Sequence, residues 1–170
     1  MKVYLATDHA GLEIKNKVIE YLKSLGFETE DCGPFEFNKA DDYPDFISKA
    51  AEQVSKNSEN AMGIVLGGSG QGEAMVANKF KNVRCALFYS EATPLKAIDI
   101  TGSRSSDPYE MLKLTRAHNN SNMLSLGIRF LTEAQILKAV RIFLESPFPG
   151  DERHVRRIDK IKVIENKNYA

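Results

Sequence analysis

The sequence carries no surplus charge of either sign. Lys plus Arg number 23 and Asp plus Glu number 23, so there is no global positive field to hold nucleic acid or an anionic membrane surface, and any basic site must be local. Cysteine is scarce. Cys32 and Cys85 are the only two, far apart and without metal-ligand spacing, which argues against a disulfide scaffold and fits a reducing compartment. Long apolar runs are missing as well. The start, Met1 to Thr7, reaches Asp8 and His9 after one short apolar stretch, far short of a signal-peptide core or a membrane span, and a cytoplasmic protein is expected. Several catalytic signatures are also absent: no nucleophile elbow, no H-E-x-x-H, no Gly-Lys-Ser/Thr ending of a P-loop, and no dinucleotide-type Gly-x-Gly-x-x-Gly after the first strand. Hydrolysis by a triad or by zinc, and nucleotide binding, are therefore disfavoured.

What is present is an alternation. At 170 residues the chain is long enough for one sizeable core, and one domain over 1–170 is expected. Val3 to Thr7 reads as a strand. After Asp8-His9-Ala10-Gly11, Leu12, Ile14, Val18, Leu22 and Leu25 recur at helical spacing before Gly26. Phe27 to Asp31 reads as a second strand, and a polar loop follows that ends in Asp41-Asp42-Tyr43-Pro44. Further expected elements are a helix over Ile47 to Lys56, a strand over Gly63 to Leu66, a helix after Gly72, a strand over Cys85 to Tyr89, a helix from Ala92, a strand over Met123 to Leu126 and a helix over Thr132 to Leu144. Strand and helix alternating in this way predict an α/β fold with a mainly parallel sheet covered on both faces.

Two segments break the rhythm. Ile100 to Pro108, rich in Gly, Ser and Pro, interrupts what would otherwise be one helical stretch ending near His118, and reads as a surface loop. From Asp151 a C-terminal helix (151–167) carries Val155, Ile158, Ile161 and Ile164 at a spacing of three, with basic residues between them. An apolar stripe of this kind must dock, either on its own domain or, as favoured here, on a second subunit.

The densest functional signal is Gly67-Gly68-Ser69-Gly70-Gln71-Gly72-Glu73, an apolar strand running into a glycine-rich turn that opens a helix. Four glycines in six residues let the main chain approach a ligand, and free N–H groups beyond the turn favour negative charge. Glu73 stands at that anion's edge, although stabilising a helix start is the ordinary role of such an acid. A helix N-terminus would hold Glu73 ionised whereas exclusion of water would raise its pKa, and sequence leaves open which effect wins. In open α/β sheets ligands bind beyond the carboxyl ends of strands, which directs attention to Asp8 and His9, Ser90 and Glu91, and Gly127 with Arg129. His118 and Asn119 lie in a polar run before the fifth strand, and Arg153, His154 and Arg157 in the tail. A carboxylate, histidines, an anion-stabilising loop and arginines suit proton abstraction beside a carbonyl. Cys85 reads as a buried core residue.

In this order, Asp8-His9-Ala10-Gly11, Asp42-Tyr43-Pro44, the Gly67 to Glu73 loop, Ala77-Asn78-Lys79, His118-Asn119, Gly127 with Arg129, and Arg153-His154 with Arg157 resemble type B ribose-5-phosphate isomerase over almost the whole chain. That wider family includes galactose-6-phosphate isomerase subunits and enzymes acting on allose 6-phosphate. The resemblance implies a Rossmann-like three-layer α/β/α sandwich with a five-stranded sheet, and a homodimer with active sites at the subunit interface, a tetramer being the larger alternative. The C-terminal helix would dock on the partner subunit. It further implies interconversion of ribose 5-phosphate and ribulose 5-phosphate through an enediolate, with no metal and no cofactor, in the cytoplasm.

By the same resemblance His118 with Asp8 assists ring opening and Glu73 moves the proton between C1 and C2. Backbone N–H groups of Gly68, Ser69 and Gly70, with Asn119, stabilise the enediolate, while Ser69 belongs to the catalytic set. His9, Arg129, Arg153 and Arg157 hold the phosphate or hydroxyls, some from the partner subunit, and Tyr43 lines the sugar site. Many members have a cysteine base where this chain has Gly67; another branch has Gly-Gly-Ser-Gly with a glutamate, which this chain follows. The insertion around Thr101 to Tyr109 departs from typical members and leaves a hexose 6-phosphate isomerase, or a non-catalytic sugar-phosphate-binding module, as alternatives.

Overall fold

The computed structural model describes residues 1–168. Its centre is a five-stranded sheet built from β1 (Lys2–Ala6), β2 (Glu28–Asp31), β3 (Ala61–Gly67), β4 (Cys85–Phe88) and β5 (Met123–Gly127), in the spatial order β2-β1-β3-β5-β4 with every neighbouring pair parallel. The register aligns Leu5 with Ile64 and Gly67 with Gly127, so the turns after β1, β3 and β5 emerge side by side. Since β2 and β3 lie on opposite sides of β1, the chain reverses direction there, the place where open α/β sheets leave a crevice at their carboxyl edge.

β3 and β5 are buried along their whole length, as expected of central strands covered on both faces. Six helices cover them: α1 (Leu12–Ser24), α2 (Pro44–Lys56), α3 (Gln71–Ala77), α4 (Glu110–Asn119), α5 (Glu133–Glu145) and α6 (Glu152–Asn168). Their apolar faces split the core. Val18, Leu22, Leu112, Ile136, Val140 and Phe143 pack on Val3, Leu5, Ile64, Leu66 and Leu124, while Ile47, Ala50, Val54 and Ala77 pack on Ala6, Val65 and Met123. Alternate strand residues thus feed opposite layers. The start of α5 is fixed by Thr132 and Gln135, which cap each other's backbone N–H groups.

The expected elements are present with ends shifted by a few residues, with one correction. No helix begins at Ala92: the chain is irregular from Tyr89 to Tyr109, and α4 starts only at Glu110. Pro94 and Pro108 disfavour helical backbone at the residues before them. The irregular segment is closed at its base instead. Ala92 N–H donates to Pro108 O at 3.0 Å, and the Tyr109 hydroxyl donates to the Glu91 carboxylate. Tyr109 is buried and stacks on Phe88, with Lys138 Nζ 4.4 Å from its ring centre. Cys85, expected in the core, is half-buried on the edge strand β4 and packs against the layer that holds Val65, Ala77 and Met123. Of the apolar stripe on α6 only Ile158 is buried, whereas Val155, Ile161 and Ile164 are exposed. Among the described residues no helix is long and apolar enough to cross a membrane.

Candidate active site

Eight of the twelve residues singled out from sequence meet at the carboxyl edge of β1, β3 and β5. The turn after β3 is shaped by its neighbours. Gly70 takes a left-handed conformation (φ 74°), and its carbonyl accepts from the buried Ser125 hydroxyl at 2.6 Å. A side chain on Gly70 would strike Leu87 and the backbone of Leu126 and Gly127, so only glycine combines that φ with that contact. Gly67 O and Gly68 O accept from Ile128 N–H and Arg129 N–H, which pins the turn against the end of β5. Among the described residues the N–H groups of Gly68, Ser69 and Gly70 donate to no protein acceptor, and Ser69 itself is exposed. Three adjacent donors with no internal partner form a concavity suited to a developing oxyanion.

Glu73 bends back from α3 over the end of β3 and is 5% exposed. A Cβ at position 67 would lie 1.8 Å from Glu73 Oε1: the carboxylate fills the volume that any side chain at 67 would need. Burial lifts its pKa above the ordinary carboxylate value, opposed by its own backbone N–H and reinforced by the negative charge of Asp8. The question left open by sequence is thereby answered in favour of desolvation over the helix start.

Asp8 accepts from Ala10 N–H at 3.0 Å. His9 lies beside it with Nδ1 2.6 Å from Asp41 Oδ1; the Asp41 partnership raises the His9 pKa, assisted by Asp8 and opposed by burial and by Arg129. The Arg129 guanidinium lies over Gly68, about 3.0 Å from where a Cβ there would stand, and the Tyr43 hydroxyl stands 2.7 Å from the equivalent point on Gly72. Glycine at 68 and 72 is what lets both side chains reach the turn. Asp8, His9 and Asp41 are the described group whose donor atoms come within 4.8 Å of one another, but Asp8 and Asp41 already accept from backbone N–H groups and His9 Nδ1 is engaged with Asp41, an internally bonded cluster.

The remaining four residues lie apart from this cluster. His118, on the last turn of α4, stacks on the buried His154 of α6 with ring centres 4.2 Å apart and planes 11° from parallel. With Arg153 and Arg157 they line a cleft of about 280 Å³ whose other wall is Ala97 to Ile100. Burial, and the charges of His118 and Arg153, lower the His154 pKa. Asn119 lines a different cavity, of about 740 Å³, between α6 and the β4 edge, together with Arg84, Thr115 and Glu165. Among the described residues no hydrogen bond, ion pair or ring contact connects His118, Asn119, Arg153 or Arg157 with Asp8, His9, Glu73 or Arg129.

Sequence reading missed Asp41, Ser125 and His154's stacking role. Ser125 was detectable as one polar residue inside the apolar run Met123 to Leu126; Asp41 stood within a polar loop where nothing singled it out.

A family model described as Ribose/Galactose Isomerase matches residues 3–99 and 95–161, two stretches that meet in the irregular segment after β4. The chain is 39% identical over 170 residues to the ribose-5-phosphate isomerase B of Mycobacterium tuberculosis, covering all of this chain and 93% of that protein. It is 41% identical over 159 residues to a probable ribose-5-phosphate isomerase B of Mycoplasma genitalium, covering 94% and 92%. Among solved structures, ribose-5-phosphate isomerase B from Mycoplasma genitalium with bound ribulose-5-phosphate superposes with a TM-score of 0.84 at 39% identity, covering 97% of this chain and 96% of that one.

Proposed function

This chain belongs to the ribose/galactose isomerase family, and we propose on that premise that it is an aldose–ketose isomerase interconverting ribose 5-phosphate and ribulose 5-phosphate, working as a cytoplasmic homodimer. The observation that carries the reading is Glu73: a buried carboxylate with a raised pKa, lying over Gly67 and next to three unpaired backbone N–H groups. A base tuned toward neutrality beside an oxyanion pocket is what proton transfer between adjacent carbons requires.

In the mechanism Glu73 takes the proton from C2 of the open-chain aldose. The C–H electron pair becomes the C1–C2 double bond, and negative charge grows on O1 where the Gly68, Ser69 and Gly70 N–H groups can receive it. The hydroxyl hydrogen passes from O2 to O1, Glu73 returns its proton to C1, and the C2 carbonyl of the ketose results. No step calls for a metal, so activity is expected to persist in EDTA. Tyr43 borders the sugar, while Arg129 and His9 supply positive charge at the phosphate or sugar hydroxyls, where a planar guanidinium fork suits a dianion.

His118, Asn119, Arg153 and Arg157 are assigned to the same reaction from the partner subunit. Their separation from Glu73 within one chain supports this assignment, as does the exposed apolar stripe of α6. His118 with Asp8 would open the furanose ring, Asn119 would reach the enediolate, and Arg153 with Arg157 would grip the phosphate.

The test is incubation of the purified protein with ribose 5-phosphate in EDTA, following ketose formation, with allose 6-phosphate and galactose 6-phosphate in parallel. Conversion of the pentose is expected. Conversion of a hexose phosphate alone would move the assignment to that substrate, and silence on all three with phosphosugar binding intact would make the protein a sensor.

A further inference from the structure

Asp41 comes from the loop between β2 and α2, remote in sequence from the turn after β1, yet its side chain is 6% exposed and directed onto His9. Its Oδ1 accepts from the His9 backbone N–H at 3.2 Å and lies 2.6 Å from His9 Nδ1. A carboxylate can only accept, so Nδ1 carries the proton and Nε2 faces away from Asp41. The Phe37 ring stands perpendicular to the imidazole, with centroids 6.0 Å apart. Asp41 Oδ2 is enclosed and has no hydrogen-bond partner among the described residues. An enclosed carboxylate with one oxygen unsatisfied is costly to keep for loop bracing alone, because a neutral amide could accept the same two bonds.

We infer that Asp41 is a positioning residue which holds the His9 imidazole by Nδ1, in the manner of a carboxylate–histidine pair, so that Nε2 meets the phosphate of the substrate as a charged donor. The inference rests on the isomerase reading for the identity of the anion, but not for the pairing itself. The charged groups around His9 are Asp8 from its own turn, Asp41 from the β2–α2 loop and Arg129 from the turn after β5. Two anions against one cation favour the imidazolium, and Asp41 makes the direct contact. His9 is then a phosphate contact that weakens as it deprotonates, and Asp41 delays that loss to higher pH.

The experiment compares the wild type with Asp41→Asn and Asp41→Glu. Nitrogen-detected NMR resolves the three histidines and gives each tautomer and titration midpoint without substrate. Wild-type His9 is expected as the Nδ1–H tautomer when neutral, with its midpoint above the usual value. Asp41→Asn keeps the acceptor and removes the charge, so the midpoint should fall by about one unit or more, the size a neighbouring carboxylate produces. Asp41→Glu should restore part of it. Inorganic phosphate serves as the binding probe: its affinity should fall in Asp41→Asn near pH 8 and stay close to wild type near pH 5.5, where both imidazoles are charged. KM for ribose 5-phosphate should follow the same pH pattern with kcat much less affected. An unmoved His9 midpoint in folded Asp41→Asn, or phosphate affinity lost equally at every pH, would overturn the inference. So would a neutral wild-type His9 carrying its proton on Nε2, which can be read even if no variant folds. If the histidine and phosphate results hold while wild type leaves ribose 5-phosphate unchanged, the pairing stands and the isomerase reading falls.

Discussion

At the scale of single residues, one volume is contested by two side chains. Glu73 occupies the space where a Cβ at position 67 would stand, so under the proposed mechanism Glu73 over Gly67 would take the place of the cysteine base that the family resemblance implies at that position. Gly67→Ala should therefore displace Glu73 and cost activity by a factor comparable to losing the base, measured as kcat with the fold checked by circular dichroism. Glu73→Gln should lower kcat by about 10²–10⁴-fold, the usual contribution of a general base, while phosphosugar binding remains measurable. The same variant carries a stability prediction. Burial raises the folded-state pKa of Glu73, so the folded state binds its proton more tightly than the unfolded chain does. Below the unfolded-state value of about 4.3 the group is neutral in both states and carries no penalty; the penalty for ionising it grows as pH rises through the folded pKa. Glu73→Gln should thus have a higher Tm than wild type at pH 7 and the same Tm near pH 4. Both cysteines point the same way as Glu73. Burial pushes the Cys32 thiol up to about 11 and the Cys85 thiol up to about 12, leaving little thiolate at neutral pH, so alkylating reagents should leave turnover intact. Rapid inactivation prevented by substrate would instead make a thiol the base.

At the scale of elements, the insertion expected around Thr101 to Tyr109 falls within the irregular segment from Tyr89 to Tyr109, where the two stretches matched by the family model overlap. Its base is tied by Ala92 to Pro108 and by Glu91 to the buried Tyr109, and its tip is folded around Asp99, whose carboxylate accepts from Thr101 and Ser103 N–H groups. Ala97 to Ile100 wall the cleft that holds His118, Arg153 and Arg157. Replacing residues 93–107 by a short linker leaves the tied base in place, so the fold should survive. Opening that wall should raise the kcat/KM ratio of allose 6-phosphate to ribose 5-phosphate by about tenfold or more, the scale on which a pocket wall discriminates neighbouring substrates. An unchanged ratio would make the segment peripheral. Much of the element pattern was legible beforehand: glycines and prolines punctuated it, and apolar spacing named every strand, and every helix but α4, within a few residues. The helix expected from Ala92 was misread because Ala92 and Leu95 to Ile98 look helical in isolation, while Pro94, Pro108 and the Glu91–Tyr109 tie hold the segment open.

At the scale of the whole molecule, the proposal assigns each active site residues from two chains. Glu73 and His118 belong to separate clusters of one chain, and α6 leaves Val155, Ile161 and Ile164 exposed, an apolar surface of the kind that an interface buries. Co-expression of Glu73→Gln with His118→Ala tests this arrangement. If each site takes Glu73 from one subunit and His118 from the other, a mixed dimer has one doubly damaged site and one intact site, and activity should return although each variant alone is nearly inactive. Failure to recover activity in mixed dimers that demonstrably form would put both residues in the same subunit's site.

The sequence by itself determined the local events: which stretches become strands or helices, where glycine must turn the chain, and which polar residues stand at strand ends. Those outcomes depend on spacing and backbone sterics over a few neighbours, which a single chain of letters records. Only the tertiary structure decided the strand order β2-β1-β3-β5-β4, the desolvation that lifts Glu73, the meeting of Asp41 with His9, and the division of the site residues into two clusters. Each of these comes from contacts between segments far apart along the chain, and burial and electrostatic neighbourhood are properties of such contacts rather than of any residue's own identity.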